Sequence, residues 1–159
     1  MKITFICVGK IKEAFYRDAI KEYEKRLSKY TKFEIIEVAD EKTPENASDV
    51  VVSQILEKEG ERILSKVRER SFVTVLAIHG TMMDSVKFSR YIEEHSMTSG
   101  GDLTFIIGGS LGTSPKVNQR ADALLSFSPM TFPHQLMRVV LLEQIYRAYR
   151  ISNNEPYHK

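Results

Sequence analysis

The chain has 159 residues, which is the size of one compact domain and leaves little room for a second independent core. Its composition, 42% hydrophobic and 28% charged, is that of an ordinary globular protein and excludes collagen-like, disulfide-scaffold and fully disordered chains. The longest stretch without a charged side chain runs from Ala123 to Met137 and includes two prolines, so we expect no membrane span.

The formal net charge is only +2, but the charges are unevenly distributed along the chain. The segment from Lys10 to Lys32 holds eight Lys or Arg against four acids, and the segment from Glu37 to Glu61 holds eight acids against two lysines. From Pro115 to Lys159, six Lys or Arg stand against three acids. Solvated helix faces commonly carry such runs, so charge alone does not establish nucleic-acid binding.

The single cysteine and the start of the chain indicate the compartment. Cys7 cannot form an intrachain disulfide, and its apolar neighbours favour a buried structural thiol. The segment from Met1 to Gly9 has the pattern of a strand rather than of a signal peptide. We therefore predict a cytoplasmic protein.

The first half of the chain predicts two strands and two helices. The strands are Lys2 to Gly9 and Phe33 to Asp40, both rich in β-formers. Between them, apolar residues recur every four positions and predict an amphipathic helix: Ile11, Phe15, Ala19, Tyr23 and Leu27. A second helix, which carries the acidic surplus, is predicted to open at Pro44 and to bury Val51, Ile55, Ile63, Leu64 and Val67.

The second half predicts a βαβ unit, a short strand and a long helix. Phe72 to Gly80 and Leu103 to Gly109 are nearly continuous apolar runs, as in central parallel strands, with a helix capped by Asp84 or Ser85 between them. A strand from Ala123 to Phe127 and a helix from about His134 to Ile151 follow. We therefore predict a single α/β domain over residues 1–159, with a mostly parallel sheet flanked by helices.

Ligands of open α/β sheets bind at the carboxyl ends of central strands. Three predicted strand ends carry small or turn residues: His79-Gly80, Gly108-Gly109 with Gly112, and Phe127-Ser128-Pro129. The GGSLG turn does not match the GxGxxG dinucleotide fingerprint, and no GxxxxGK[ST] phosphate loop is present. The histidines and the cysteine show neither HExxH nor CxxC spacing, so we predict no metal site.

The segment from Leu125 to Leu136, rich in uncharged polar residues and containing two prolines, lies between a predicted strand and the last helix. Such a loop can be rigid and can offer backbone groups to a neutral heteroaromatic such as adenine. It can equally be a helix entrance, with Thr131 as the cap and Pro133 in the first turn.

Four blocks of sequence resemble the RlmH family of SPOUT-class methyltransferases: IIGGSLG from Ile106, LSFSPMTFPHQLMR from Leu125, LLEQIYRAYRI from Leu141, and EPYHK from Glu155. The resemblance also covers the opening MKITFICVGK and the length of the chain. It implies methylation of N3 of a pseudouridine in a stem-loop of large-subunit ribosomal RNA. It further implies a SPOUT-type fold with a C-terminal trefoil knot, which is an exception to the rule against knots.

The same resemblance implies a homodimer that binds S-adenosylmethionine in the knot. The cofactor-binding residues carried over are Leu76, Gly108, Phe127, Ser128, Pro129, Met130, Thr131 and Phe132. The last helix would supply dimer contacts through Leu136, Val140, Leu141, Ile145 and Tyr149, although packing within one chain explains that pattern equally well.

Methyl transfer from a sulfonium needs no metal or covalent intermediate, so alignment of the two reactants is most of the work. The N3 of pseudouridine carries a proton near neutral pH, so a base, or donors to the adjacent carbonyl oxygens, should assist. The candidate catalytic residues are His134, Arg138, Tyr157, His158 and Lys159. By resemblance, the PYHK tail reaches the cofactor pocket of the partner subunit; without the family, a frayed terminus would be expected.

A chain without a separate RNA-binding domain has only its basic helix, around Lys21, Lys25, Arg26 and Lys29, and its basic C-terminus with which to bind phosphates. We therefore expect weak affinity for isolated RNA, with the assembled ribosome as substrate. Two other functions stay open: a ribosome-assembly factor without catalysis, and a nucleotide-binding α/β oxidoreductase supported only by the GGSLG turn.

Overall fold

The computed structural model describes residues 1–159 as five strands and five helices that alternate along the chain. The strands are β1 (Lys2–Val8), β2 (Lys32–Val38), β3 (Phe72–Thr81), β4 (Asp102–Ile107) and β5 (Ala123–Leu125). The helices are α1 (Ala14–Leu27), α2 (Asp49–Leu64), α3 (Ser85–Thr98), α4 (Pro115–Arg120) and α5 (His134–Ser152). All strands are parallel, in the order β2-β1-β4-β3-β5, which confirms the predicted α/β sheet.

Two apolar layers cover the central strands, because alternate residues of a strand point to opposite faces. The larger core joins α1, α3 and α5 to one face and includes Phe5 of β1 and Phe105 of β4. The smaller core joins α2 and α4 to the other face and includes Ile6 of β1 and Ile106 of β4. Burial on both faces explains the nearly continuous apolar sequence of β1 and β4.

The helix starts follow from side-chain caps. Asp84 caps α3 by accepting a 2.7 Å hydrogen bond from the Lys87 amide, as predicted. The prediction that a helix opens at Pro44 is wrong, because Ser48 caps α2 and the helix begins at Asp49. The alternative in which Thr131 caps the last helix is also wrong, because Pro133 occupies the cap position without a side-chain bond.

Three other details differ from the sequence predictions. The prediction missed α4, which begins at Pro115 after a Ser114 cap. Phe15, expected on the buried face of the first helix, is 66% exposed, because the inward face of α1 runs through Tyr16, Ile20, Tyr23 and Leu27. The strand predicted to reach Phe127 ends at Leu125.

The end of β3 is irregular and bends around the end of β5. Leu76 pairs with Leu125, and after a bulge over residues 77–80 Thr81 pairs with the same Leu125. The Ser126 amide then donates a 3.0 Å hydrogen bond to the Thr81 carbonyl. This bulge opens space between the strand ends. None of the helices combines the length and the apolar character that crossing a membrane requires.

Candidate functional site

A cavity of about 450 Å³ opens where the carboxyl ends of β3, β4 and β5 meet. Its walls are the bulge after Leu76, the glycine turn from Gly108 to Gly112, the loop from Ser126 to Phe132, and the first turn of α5 at His134. The volume lies in the usual range for small-molecule sites. The three strand ends that the sequence analysis selected therefore come together at one site.

The glycine turn is closed by main-chain contacts. The Gly112 amide donates to the Gly109 carbonyl at 3.1 Å, and Gly112 has a φ of +85°, which favours glycine. A Cβ at position 108 would stand 2.5 Å from the Gly112 carbonyl oxygen, so only glycine fits there. The turn can therefore approach a ligand with its backbone.

The loop from Ser126 to Phe132 holds itself in place while leaving donors free. The Ser128 hydroxyl accepts a 3.0 Å bond from the Met130 amide, and the Ser126 hydroxyl donates to the Ser128 carbonyl. The amides of Phe127, Thr131 and Phe132 donate to no group of the chain. These unpaired donors border a cavity lined elsewhere by apolar residues such as Leu76, Ile107 and Leu125.

Most of the predicted cofactor-binding residues line this cavity. The lining residues among them are Leu76, Gly108, Phe127, Ser128, Met130, Thr131 and Phe132. Pro129 lies within the same loop but is not part of the wall. Met130 is 73% exposed at the mouth, so the cavity has an apolar rim as well as an apolar floor.

His134 is the predicted catalytic residue that the structure brings to the cavity wall. Burial lowers the pKa of His134, the positive charge of Arg138 lowers it further, and Asp40 and Glu13 oppose the shift. The imidazole is therefore neutral at neutral pH. Its Nδ1 atom is buried and has no hydrogen-bond partner in the chain.

Arg138 lies one turn further along α5 but does not line the cavity. Its side chain is 1% exposed and binds Glu37 at 2.6 Å and the Gly9 carbonyl at 2.8 Å. Arg138 was predicted from the sequence, whereas Glu37 was not, because it is one of several charged residues of β2 and nothing distinguishes it there.

The C-terminal tail packs on α5 of its own chain. The Tyr157 hydroxyl donates to Glu143 at 3.1 Å, and the Arg147 guanidinium lies 4.7 Å from the centre of the Tyr157 ring. Burial, followed by the hydrogen bond to Glu143, raises the pKa of Tyr157 to about 12. The His158 ring nitrogen is 3.1 Å from Arg147. The sequence analysis missed Glu143 and Arg147, because their role depends on how the tail folds back.

Further contacts hold the tail upstream of Tyr157. Glu155 accepts a 2.7 Å bond from the Tyr30 hydroxyl and pairs with Arg150, which also donates to the Pro156 carbonyl at 2.9 Å. The tail is therefore docked rather than frayed. Neither Tyr157, His158 nor Lys159 lines the cavity of its own chain.

A second cavity of about 510 Å³ lies on the other side of the segment Leu125 to Phe127. The first turn of α3, Gln144 of α5 and His158 of the tail line it. Ser85 donates a 2.8 Å hydrogen bond to Gln144 across its wall. Two of the sequence-selected regions, the loop after β5 and the tail, thus meet here.

The apolar residues of α5 divide into two sets. Leu141, Ile145 and Tyr149, which the sequence offered as dimer contacts, are buried in the core of their own chain. Leu136 and Val140 stay partly exposed. No three His, Cys, Asp or Glu side chains cluster in a way that could hold a metal ion.

The comparisons with known proteins agree with this architecture. The family model described as "Predicted SPOUT methyltransferase" matches residues 1–158. Proteins named ribosomal RNA large subunit methyltransferase H from Streptococcus gordonii and Bifidobacterium animalis subsp. lactis are 60% and 57% identical over 159 residues, covering all of both chains. A protein from Methanococcus maripaludis, named a putative enzyme of the same kind, is 59% identical over the same full length.

A solved structure, described as a probable methylase family protein from Haemophilus influenzae, has the same fold, with a TM-score of 0.54 at 10% identity. The match covers 96% of this chain and 66% of that one. Together with the family model and the full-length relatives, it identifies the parallel sheet and its helices as a SPOUT methyltransferase fold. The chain belongs to the RlmH family of SPOUT methyltransferases.

Proposed function

We propose that this protein transfers a methyl group from S-adenosylmethionine to N3 of a pseudouridine in a stem-loop of large-subunit ribosomal RNA. Family membership and the names of full-length relatives support methylation of this RNA. The observation that carries the proposal is the cavity in which the glycine turn, the loop from Ser126 to Phe132 and His134 converge.

The residues of the cavity fit S-adenosylmethionine. The apolar floor at Leu76 and Leu125 suits a flat ring, and the free amides of Phe127, Thr131 and Phe132 suit the nitrogens of adenine. The glycine turn offers backbone where a bulkier residue would block approach. When bound, the cofactor supplies an electrophilic methyl group on a positively charged sulfur.

The chain's own residues must then orient the nucleoside and manage the N3 proton. A neutral His134 lines the cavity and keeps one ring nitrogen without a proton, which can accept a hydrogen bond. Tyr157, whose pKa is raised to about 12, serves as a donor at neutral pH. His158 and Lys159 are exposed and available to contact RNA or the carbonyl oxygens of the base.

We infer that the active unit is a homodimer in which the tail of one chain completes the cavity of the other. The tail residues Tyr157, His158 and Lys159 are absent from the cavity of their own chain. Three exposed apolar residues line that cavity, as an interface requires: Ile78, Met130 and Phe132.

The knot of the family also belongs to this proposal. Gly80 passes directly against the backbone of Leu124 and Leu125. This close main-chain approach of two distant segments at the carboxyl edge supports a chain that is threaded there.

The assembled ribosome in the cytoplasm is the proposed setting. Lys21 and Lys25 are exposed on α1, and Lys29 is exposed just after its end, where it pairs with Glu155 at 3.8 Å. Arg26 is engaged with Glu22 at 3.0 Å. A few exposed lysines provide only weak, salt-sensitive binding to RNA phosphates. Shape recognition by the ribosome would supply the remaining specificity.

Incorporation of labelled methyl groups from S-adenosylmethionine tests the proposal. Intact ribosomes and protein-free ribosomal RNA are compared, each with wild type and with a chain truncated before Tyr157. We expect label in ribosomes alone, at N3 of one pseudouridine, and its loss on truncation while the thermal unfolding midpoint changes little. Ribosome binding without any labelling, by a folded protein, would instead favour the assembly-factor function.

A further inference from the structure

Arg138 is a buried cation that the proposed chemistry does not use. We propose that Arg138, paired with Glu37, is a positioning residue that fixes the end of β1 against α5 and holds the His134 ring at the cavity wall as a hydrogen-bond acceptor. The inference rests on the proposed function for its consequence in catalysis. The claim that Arg138 fixes the position of the His134 ring concerns the folded chain alone.

The Arg138 guanidinium joins three elements of the fold and is 1% exposed. Its Nη1 donates to Glu37 of β2 at 2.6 Å, and its Nη2 donates to the carbonyls of Gly9 at 2.8 Å and Val8 at 3.4 Å. Those carbonyls lie at the end of β1, where Cys7 is in register with Glu37. Because a buried charge needs paired, hydrogen-bonded surroundings, these bonds fix the position of Arg138.

His134 lies four residues before Arg138, so the two side chains share a face of α5. A Cβ added at position 9 would come within 3.9 Å of His134 Cε1, so Gly9 lies next to the ring. Gly9, held by Arg138, therefore limits the space in which the ring at the cavity wall can move. The Nδ1 atom of the ring is buried and without a partner in the chain.

Burial and the charge of Arg138 both favour the neutral form of the His134 ring. Arg138 faces His134 from α5, Asp40 from the segment after β2, and Glu13 from the segment before α1. Burial lowers the pKa of His134 most and Arg138 lowers it further, against the two carboxylates. A neutral imidazole retains an acceptor nitrogen, which an imidazolium does not have. Arg138 thus disfavours the protonated form of His134, which could not accept a hydrogen bond.

Arginine suits this position for a geometric reason. Its planar fork presents several donors at once and can bind the Glu37 carboxylate and two carbonyls together. A lysine would keep the charge but not the set of bonds. Substitution by lysine therefore separates the electrostatic part of the role from the positioning part.

The test combines NMR titration of the His134 ring with the pH profile of methyl transfer by the dimeric protein. R138M should raise the pKa of His134. In the pH profile of kcat, the fall on the acid side should therefore move to higher pH. R138K should leave the pKa of His134 close to the wild-type value. The kcat should fall about tenfold, because Gly9 beside the ring is no longer held in place. R90M, at an exposed arginine of α3, is the matched control and should change neither readout.

E37Q is the second variant, because it retains the carbonyl bonds of Arg138 and so preserves the fold if R138M does not. Loss of the Glu37 carboxylate weakens the contact that fixes Arg138, so kcat should fall. Unchanged His134 titration in folded R138M, or wild-type kcat in R138K or in E37Q, would overturn the proposal. Absence of methyl transfer by wild type would refute the proposed function instead, while the NMR titration would still decide the positioning of His134.

Discussion

Gly80 lies so close to Leu124 that a Cβ at position 80 would stand 2.7 Å from the Leu124 carbonyl oxygen. The contact is with backbone, which cannot rotate away as a side chain can. It occurs where β3 bends around the end of β5 and Thr81 returns to pair with Leu125. The wall of the cavity therefore depends on a glycine at this crossing.

We expect G80A to destabilise the fold by about 1–3 kcal/mol, the usual cost of overpacking. Urea unfolding followed by circular dichroism measures the difference. S53A, at an exposed position of α2, is the control and should change the free energy of unfolding by less than about 0.5 kcal/mol. An unfolding midpoint for G80A equal to that of wild type would contradict the close packing at this crossing.

The sequence predicted the strands and the site because both depend on local signals. Apolar runs ending in glycine placed β3 and β4, and the carboxyl-edge rule then directed attention to Gly108 and the loop after β5. The same locality explains why Asp84 was predicted as a cap, since its partner Lys87 is only three residues away.

The features that the sequence did not predict depend on contacts between residues that are far apart along the chain. Arg138 and Glu37 are 101 positions apart, and no spacing rule connects them. Periodicity placed Phe15 in the core, but the face of α1 that packs against the core begins with Tyr16 and leaves Phe15 exposed. The tail gave no sign that Tyr157 would dock against Glu143, because short termini carry no folding pattern of their own.

Cys7 should be inert in the folded protein. The thiol is fully buried, and burial raises its pKa to about 12, with Glu37 adding to the shift and Arg138 opposing it. We expect iodoacetamide at neutral pH to modify Cys7 only as fast as the protein unfolds, measured by mass spectrometry over time. The same protein in denaturant should react at the rate of an ordinary thiol. Rapid alkylation of the native protein would contradict this burial.

The stability of the fold should fall as the pH drops below about 6.5. His134 has a lowered pKa in the folded state, so the unfolded chain binds the proton more readily and acid favours unfolding. As the pH falls, this loss in the free energy of unfolding begins near the ordinary histidine pKa and ends below the pKa of His134 in the folded chain. Asp102 and Glu34, whose pKa values are lowered mainly by hydrogen bonds to Arg68 and Lys2, contribute only at lower pH, below their ordinary values.

Urea unfolding of wild type and H134Q at a series of pH values measures this effect. Because glutamine does not titrate, H134Q should lose less stability than wild type between pH 6.5 and the folded pKa of His134. Both proteins should lose stability alike in the acid range where Asp102 and Glu34 are protonated. Parallel curves throughout would mean that His134 titrates alike in the folded and unfolded chains.

G108A should weaken binding of S-adenosylmethionine by at least about tenfold while the sheet stays folded. The added Cβ would stand 2.5 Å from the Gly112 carbonyl oxygen, so the glycine turn must open and its backbone must shift at the cavity wall. Isothermal titration calorimetry gives the Kd, and circular dichroism verifies the fold. S53A, at an exposed position of α2 that does not line the cavity, should bind as wild type does. If G108A retained wild-type affinity, the cofactor would have to bind without the glycine turn, and the cavity would need another ligand.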